Sequence, residues 1–271
     1  MNPERRAGMR QTLRRGVYVV PTSFTILNLF FGFRAMIFST RGLEAIAVGH
    51  HANATAFFET ACISLLIAAI ADTFDGFIAR QLHATSEFGK EYDSLADVVT
   101  FGAAPAVLVY AWGLHGLGRL GVGIAFLFLV SVSLRLARFN VMTGKSDYRY
   151  FVGLPSPAGA LSIAAIVLYA PAPVTDRGFA FLILGVTVAV AFAMVSPVRY
   201  RSQKGLNLQK ERSLMYFVVL ALIVSLAYLW PREFCFALAI GYLVSGPFLK
   251  LWSIAFPSQV PPETLTPVEL P

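Results

Sequence analysis

Eight apolar runs divide this 271-residue chain, and each approaches the length needed to cross a lipid bilayer. An α-helix rises about 1.5 Å per residue, so about 20 apolar residues span the ~30 Å of hydrocarbon. The chain is 56% hydrophobic and only 14% charged, which excludes an ordinary soluble domain. The sequence therefore predicts an all-α, polytopic membrane helix bundle of about eight transmembrane helices, at residues 18–38, 57–80, 94–113, 121–140, 157–172, 178–197, 213–230 and 234–253.

The basic residues predict the orientation of this bundle. An even number of helices places both termini on one side of the membrane. If that side is the cytoplasm, the outer loops contain only Arg41, Arg119, Arg177 and Arg232, and the other loop arginines and lysines face inward. We therefore expect cytoplasmic termini in a bacterial inner membrane. The net charge of +7 follows from these inner segments, so we predict membrane lipids and no nucleic acid as partners.

An acidic stretch stands out at the junction of the second and third runs. Residues 72–97 contain 6 of the 15 acidic residues of the chain. Asp72 and Asp75 are spaced i,i+3, and Asp93 and Asp97 are spaced i,i+4, so each pair shares one helix face. A carboxylate in the centre of a membrane helix costs roughly 2.5–3.5 kcal/mol. The cluster therefore calls for a counter-charge, and a divalent cation such as Mg²⁺ or Mn²⁺ prefers these oxygen ligands.

Two other interpretations of the acidic residues exist. They could form the ion path of a divalent-cation transporter, although a transport site is expected near the bilayer midplane. They could also be a solvated loop face without a function. The flanking polar turn, with Arg80 and Lys90, favours a site at the membrane interface.

The stretch is identified as a family motif by its residues. The pattern D-x2-D-G-x2-A-R-x8-G-x3-D-x3-D of the CDP-alcohol phosphatidyltransferase family is met at every specified position. These positions are Asp72, Asp75, Gly76, Ala79, Arg80, Gly89, Asp93 and Asp97. The chain thus resembles a family of membrane enzymes that transfer a substituted phosphate group from a CDP-linked donor to an alcohol.

The resemblance implies a role for each motif residue. Asp72, Asp75, Asp93 and Asp97 are expected to bind a divalent metal, with two ions expected, and Asp97 is expected to be the catalytic general base. The CDP-lipid is expected to contact Gly76, Ala79, Arg80, Ser86 and Gly89, together with Asn28 from the first helix. The resemblance also implies a homodimer.

Further stretches are similar to the integral-membrane phosphatidylserine synthase branch of that family. They are V-V-T-F-G-A-A-P after the motif, S-L-R-L-A-R-F-N around Arg135, and F-V-G-L-P-S-P-A-G-A from Phe151. This branch uses CDP-diacylglycerol and serine. Arg135 and Arg138, beside Asn140, are candidates for the pocket that binds the serine carboxylate, because a guanidinium binds carboxylates in a bidentate manner. They could equally be topology anchors at the membrane surface. Glycerol 3-phosphate, inositol and choline remain alternative acceptors.

The domain organisation follows from these features. Residues 1–16 form a basic cytoplasmic arm, and the apolar run behind it is too long for a signal peptide. Residues 17–197 form the catalytic bundle. Residues 198–256 form an additional helical pair with a basic cytoplasmic loop, and the proline-rich residues 257–271 form a disordered tail.

Arg34 and the two cysteines of the chain lie within apolar runs. Arg34 is unusual in lipid, and we expect it to pair with an acidic residue. Cys62 and Cys235 lack the spacing of a metal site or a disulfide framework, so we predict that both are small buried apolar residues.

Overall fold

The computed structural model describes residues 3–81, 87–142, 150–196, 199–201 and 214–255. These residues form a helix bundle, so the predicted all-α, polytopic membrane fold is confirmed. The helices are α1 (Pro3–Ala47), α2 (His51–Gln81), α3 (Glu87–Asp97), α4 (Ala104–Val109), α5 (Arg119–Met142), α6 (Ser156–Tyr169), α7 (Arg177–Val195), α8 (Leu214–Leu229) and α9 (Pro231–Ala255). Two three-residue strands, β1 (Tyr150–Val152) and β2 (Arg199–Arg201), pair antiparallel.

The chain stays helical from Glu87 to Leu117, but it changes its winding along the way. π-helical segments at Val98–Ala103 and Tyr110–Leu114 lie on either side of α4, and a 3₁₀ turn follows at His115–Leu117. π-helical turns often occur at functional sites. The first of them begins directly after Asp97.

The predicted count of eight spans is not confirmed for the part of the chain that the structure describes. Five helical stretches are long and apolar enough to cross a membrane: Ser23–Ala47, His51–Ile78, Glu87–Leu117, Arg119–Val141 and Arg177–Val195. Ala221–Leu229 and Pro231–Gly246 qualify only as a pair, with a bend of 117° between them. Helix α6 has 14 residues, or about 21 Å, which is less than the ~30 Å hydrocarbon core.

Helices α1 and α2 form the most extensive helix pair. Gly49, with a φ of 78°, provides the left-handed turn between them. A Cβ atom on Gly42 would lie only 2.5 Å from the ring of Phe58, so the small residue allows the two backbones to approach. This close packing brings the polar residues of α1 next to those of α2.

The expectation that Arg34 pairs with an acidic residue is wrong. Its Nη1 donates a hydrogen bond of 2.8 Å to Ser64 Oγ on α2, and its guanidinium lies 4.8 Å from the centroid of the Phe38 ring. A hydroxyl and an aromatic face therefore stabilise this arginine within the helix pair.

A buried core fixes the position of the remaining helices. Trp112, Phe58 and Phe128 are fully buried. Trp112 Nε1 donates to the carbonyls of Ala170 (3.1 Å) and Ala172 (2.9 Å), which ties the segment after α4 to the α6–α7 connection.

Of the two cysteines, only one is fully buried. Cys62 lies in the core, as predicted, whereas Cys235 is half-buried. Neither forms a disulfide.

Candidate active site

Three carboxylates from two helices converge where α2 and α3 meet. Asp72 on α2 and Asp93 and Asp97 on α3 each offer an oxygen, and these oxygens all lie within 4.8 Å of one another. The i,i+4 spacing places Asp93 and Asp97 on the same side of α3, facing Asp72. Three of the four predicted metal ligands therefore come together.

The fourth predicted ligand, Asp75, lies beside this cluster. It is buried and accepts a hydrogen bond from Thr25 Oγ1 on α1. The structure thus brings Asp75 to the α1–α2 interface, and its role as a metal ligand stays a prediction. Thr25 and Asp75 are 50 residues apart in the chain, and the sequence gives no sign of this contact.

Asn28 connects α1 to the carboxylate cluster. Its Nδ2 donates a hydrogen bond of 3.4 Å to Asp97 Oδ1. The side chain is fully buried, and its Oδ1 accepts no hydrogen bond from the described residues. Because a buried amide oxygen without a partner is costly, this atom is a candidate acceptor for a bound ligand.

A close contact sets the distance between α1 and the segment after Asp97. Thr100, in the π-helical turn Val98–Ala103, donates a hydrogen bond of 3.3 Å to the carbonyl of Asn28. A Cβ atom on Gly32 would lie 2.5 Å from Thr100 Oγ1 and 2.8 Å from Thr100 Cα. Only glycine fits here, and the contact holds Asn28 against Asp97.

Arg135 supplies a positive charge beside the carboxylates. It is buried on α5, and its Nη1 donates a hydrogen bond of 2.7 Å to Ser156 Oγ at the start of α6. Its guanidinium lies within electrostatic range of Asp97, and its buried Nε has no acceptor among the described residues. Ser156 was not singled out in the sequence, although it lies in one of the stretches that carried the family resemblance.

Of the other two predicted acceptor residues, Arg138 lies within electrostatic range of Arg135, and each donates a hydrogen bond to a different group. Arg138 Nη1 donates to the carbonyl of Val195 at the end of α7 (3.2 Å), and Asn140 Nδ2 donates to Ser94 Oγ on α3 (2.9 Å). A shared role of the three residues in binding an acceptor stays a prediction.

The predicted CDP-lipid residues flank the acidic cluster in the chain. Gly76 follows Asp75 on α2, and Gly89 precedes Asp93 on α3. Ala79 and Arg80 belong to α2, but their side chains lie outside the described part of the chain, as does Ser86 altogether. Contacts from these five residues to a CDP-lipid stay predictions.

The donor set fits a hard divalent cation. Three carboxylate oxygens within 4.8 Å of one another form the all-oxygen environment that Mg²⁺ and Mn²⁺ prefer. If all three were ionised without a counter-charge, each pair would repel by at least about 3.5 kcal/mol at an effective dielectric constant of about 20. Arg135 offsets part of this negative charge, and a bound divalent cation would balance the rest.

A helix bundle with a carboxylate site beside a buried arginine is compatible with a membrane-embedded phosphotransferase. The family model for CDP-alcohol phosphatidyltransferases matches residues 18–196 of this chain. The chain belongs to the CDP-alcohol phosphatidyltransferase family, as its motif predicted.

Relatives with assigned names are similar over most of the chain. A CDP-diacylglycerol–serine O-phosphatidyltransferase from Helicobacter pylori J99 is 32% identical, over 85% of this chain and 90% of the relative. A protein of the same name from Mycobacterium tuberculosis H37Rv is 30% identical, over 87% of this chain and 80% of the relative. An archaetidylserine synthase from Methanothermobacter thermautotrophicus is 30% identical, over 69% of this chain and 72% of the relative.

Proposed function

We propose that this protein transfers the phosphatidyl group of CDP-diacylglycerol to the hydroxyl of L-serine, giving phosphatidylserine and CMP. The observation that carries the proposal is the convergence of Asp72, Asp93 and Asp97 next to the buried guanidinium of Arg135. The names of the relatives support serine as the acceptor.

The residues around Asp97 suit a direct displacement. The serine oxygen attacks the lipid-side phosphorus while its proton moves to the Asp97 carboxylate. The bond from that phosphorus to the bridging oxygen breaks, and CMP leaves with this oxygen. Asn28 orients the base through its hydrogen bond to Asp97 Oδ1. The motif 72–97 contains no cysteine, and its aspartate carboxylates are assigned to the metal and to the base, so one direct step is preferred.

Metal binding belongs to the same proposal. Asp72, Asp93 and Asp97 would hold the ion, with Asp75 as a further ligand and a second ion near Asp93 and Asp97. A bound Mg²⁺ or Mn²⁺ would offset the negative charge that develops on the phosphate oxygens. Gly76, Ala79, Arg80, Ser86 and Gly89 would line the space for the nucleotide.

Arg135 is our candidate for the serine carboxylate. It is buried and donates a hydrogen bond to Ser156. Its Nε–H has no acceptor among the described residues and can donate to a ligand. A carboxylate near Arg135 would place the serine hydroxyl within reach of Asp97. Arg138, which lies within electrostatic range of Arg135, and Asn140 are further candidates for this pocket, although each donates one hydrogen bond to another group.

The test is CMP release by the purified protein with CDP-diacylglycerol and Mg²⁺ or Mn²⁺, comparing serine, glycerol 3-phosphate, inositol and choline. We expect release with serine only. Release with another alcohol would keep the metal site and the base but overturn the choice of acceptor. Metal flux into liposomes without any CMP release would instead indicate a cation transporter.

Weakening the carboxylate cluster should raise the metal requirement. We expect Asp93→Asn to increase the Mg²⁺ concentration for half-maximal activity at least tenfold, because one anionic ligand becomes a neutral amide. EDTA should abolish the activity of both proteins, and added Mg²⁺ should restore it. An unchanged Mg²⁺ titration for Asp93→Asn would remove this residue from the metal site.

The role of Arg135 in binding serine can be tested with a variant that keeps the positive charge. Arg135→Lys should raise the KM for serine about tenfold and leave the KM for CDP-diacylglycerol within about twofold, because lysine lacks the planar fork that pairs with a carboxylate. Arg177→Lys, at the start of α7, is the matched control and should behave like the wild type. Equal increases in both KM values would show that Arg135 acts on the general shape of the site.

The membrane orientation and the oligomeric state of the protein belong to the same proposal. We propose that both termini and the active site face the cytoplasm of a bacterial inner membrane, and that the protein is a homodimer. The inward bias of the basic residues supports the orientation. The family resemblance alone supports the dimer.

A further inference from the structure

A cavity of about 340 Å³ lies between helices α2, α6 and α9, and its lining does not include the carboxylates of Asp72, Asp93 and Asp97. Its wall is almost entirely apolar and includes Leu66 of α2, Leu161 and Ala165 of α6, and Leu238 and Ala239 of α9. One of its few polar residues, Ser162, donates its hydroxyl to the carbonyl of Ala158. The cavity therefore has the volume of a ligand pocket but suits a hydrocarbon rather than a polar ligand.

One end of the cavity adjoins the candidate active site. Ala158 lines it two residues after Ser156, the hydrogen-bond partner of Arg135. Tyr242 lines it from α9 and lies within electrostatic range of the Arg135 guanidinium. Arg135 does not line the cavity itself, but Ser156 and Tyr242 connect it to this end of the cavity.

The dimensions match one acyl chain in one leaflet. The lining of α6 runs from Ala158 to Leu168, a separation of ten residue steps, or about 15 Å at ~1.5 Å per residue. This is about half of the ~30 Å hydrocarbon core, which is the depth of a single leaflet. On α2, the lining residue Cys62 lies ten residues before Asp72, again about 15 Å along the helix.

We propose that this cavity binds one acyl chain of the CDP-diacylglycerol substrate while the diphosphate lies at the carboxylate cluster. The inference rests on the proposed function and adds a specificity site to it. A lipid whose headgroup is held near Asp72 has its chains directed into the membrane, and this cavity offers an apolar wall of the right depth. Chain length should then affect binding of the substrate and not the chemistry at Asp97.

A pair of variants tests the proposal. Ala239→Phe places a ring in the cavity, whereas Ala237→Phe adds the same ring at an exposed position of α9 outside it. For CDP-dioleoylglycerol we expect Ala239→Phe to lower kcat/KM about tenfold, mainly through KM, which corresponds to about two methylenes no longer buried. For CDP-dihexanoylglycerol, whose chains are too short to fill the cavity, both variants should match the wild type.

The native cysteines give a second measurement. Cys62 and Cys235 are the only cysteines of the chain, and both line the cavity. In nanodiscs, CDP-dioleoylglycerol should slow the alkylation of Cys235 by N-ethylmaleimide at least threefold, whereas CDP-dihexanoylglycerol should not. Mass spectrometry identifies the modified cysteine without any engineered residue.

The outcomes separate the possible occupants. An equal loss with both substrates in Ala239→Phe, or an equal loss in Ala237→Phe, would overturn the proposal. Cysteine alkylation that is insensitive to CDP-dioleoylglycerol, without a chain-length effect, would assign the cavity to bulk membrane lipid. If the wild type released no CMP from either substrate with serine, the proposed function itself would fail. The short-chain substrate makes this test independent of the cavity, because its chains do not fill it.

Discussion

Asp97→Asn is expected to lower kcat by about 10²–10⁴-fold, the usual contribution of a general base. The amide has the same shape as the carboxylate, and its oxygen can still accept the hydrogen bond from Asn28 Nδ2. Binding of CDP-diacylglycerol should therefore persist, within a fewfold of the wild type. The measurements are single-turnover CMP release and equilibrium binding of CDP-diacylglycerol in the presence of Mg²⁺.

Two controls separate the base from the alternatives. Asp176→Asn, at the N-cap of α7, changes the charge outside the site and keeps a side chain that can accept from Phe179 N–H, so its activity should be normal. Raising the Mg²⁺ concentration should not rescue Asp97→Asn. If it does, Asp97 acts as a metal ligand and not as the base, and normal turnover of the variant would exclude both roles.

Gly32→Ala should have the second-largest effect, about 10²-fold on kcat. In an isolated helix, alanine is more favourable than glycine by about 1 kcal/mol, so helix propensity alone predicts a gain in stability. Here the new Cβ would lie 2.8 Å from Thr100 Cα, which is backbone and cannot rotate away. Helix α1 must then move relative to Asp97, and a displacement of about 1 Å near reacting groups can cost about 10²-fold.

Glycines on other helices provide the matched controls. A Cβ atom on Gly123 of α5 or Gly185 of α7 would meet no atom within 4 Å. Gly123→Ala and Gly185→Ala should therefore keep full activity and an equal or higher thermal stability. Wild-type kcat in Gly32→Ala would show that the contact with Thr100 does not position the base.

The acidic cluster shows what could be predicted from the sequence. The i,i+3 and i,i+4 spacings of carboxylates determine which helix face they share, whatever surrounds them. An acidic face between apolar runs must meet a counter-charge, so the convergence of Asp72, Asp93 and Asp97 was predictable. The apolar runs similarly predicted the helical fold, because length and composition alone decide whether a segment can cross lipid.

The polar contacts between helices were less predictable. A membrane helix is apolar on its lipid-facing side and on its buried side, so the hydrophobic pattern does not reveal its rotation. The pairs Thr25–Asp75 and Arg135–Ser156 depend on that rotation, as does the approach of Gly32 to Thr100. The predicted pairing of Arg34 with an acidic residue is wrong for the same reason, because the residue that Arg34 contacts on α2 is Ser64.

The contact between Arg34 and Ser64 has a consequence for how the protein is made. Arg34 lies near the middle of the first apolar span, Ser23–Ala47, where a charged side chain opposes insertion by about 2.5–3.5 kcal/mol. Its hydrogen-bond partner is on the next span, which follows after the short turn at Gly49. During synthesis, α1 and α2 are therefore expected to leave the translocation channel as one helical hairpin, with α1 retained there until α2 emerges.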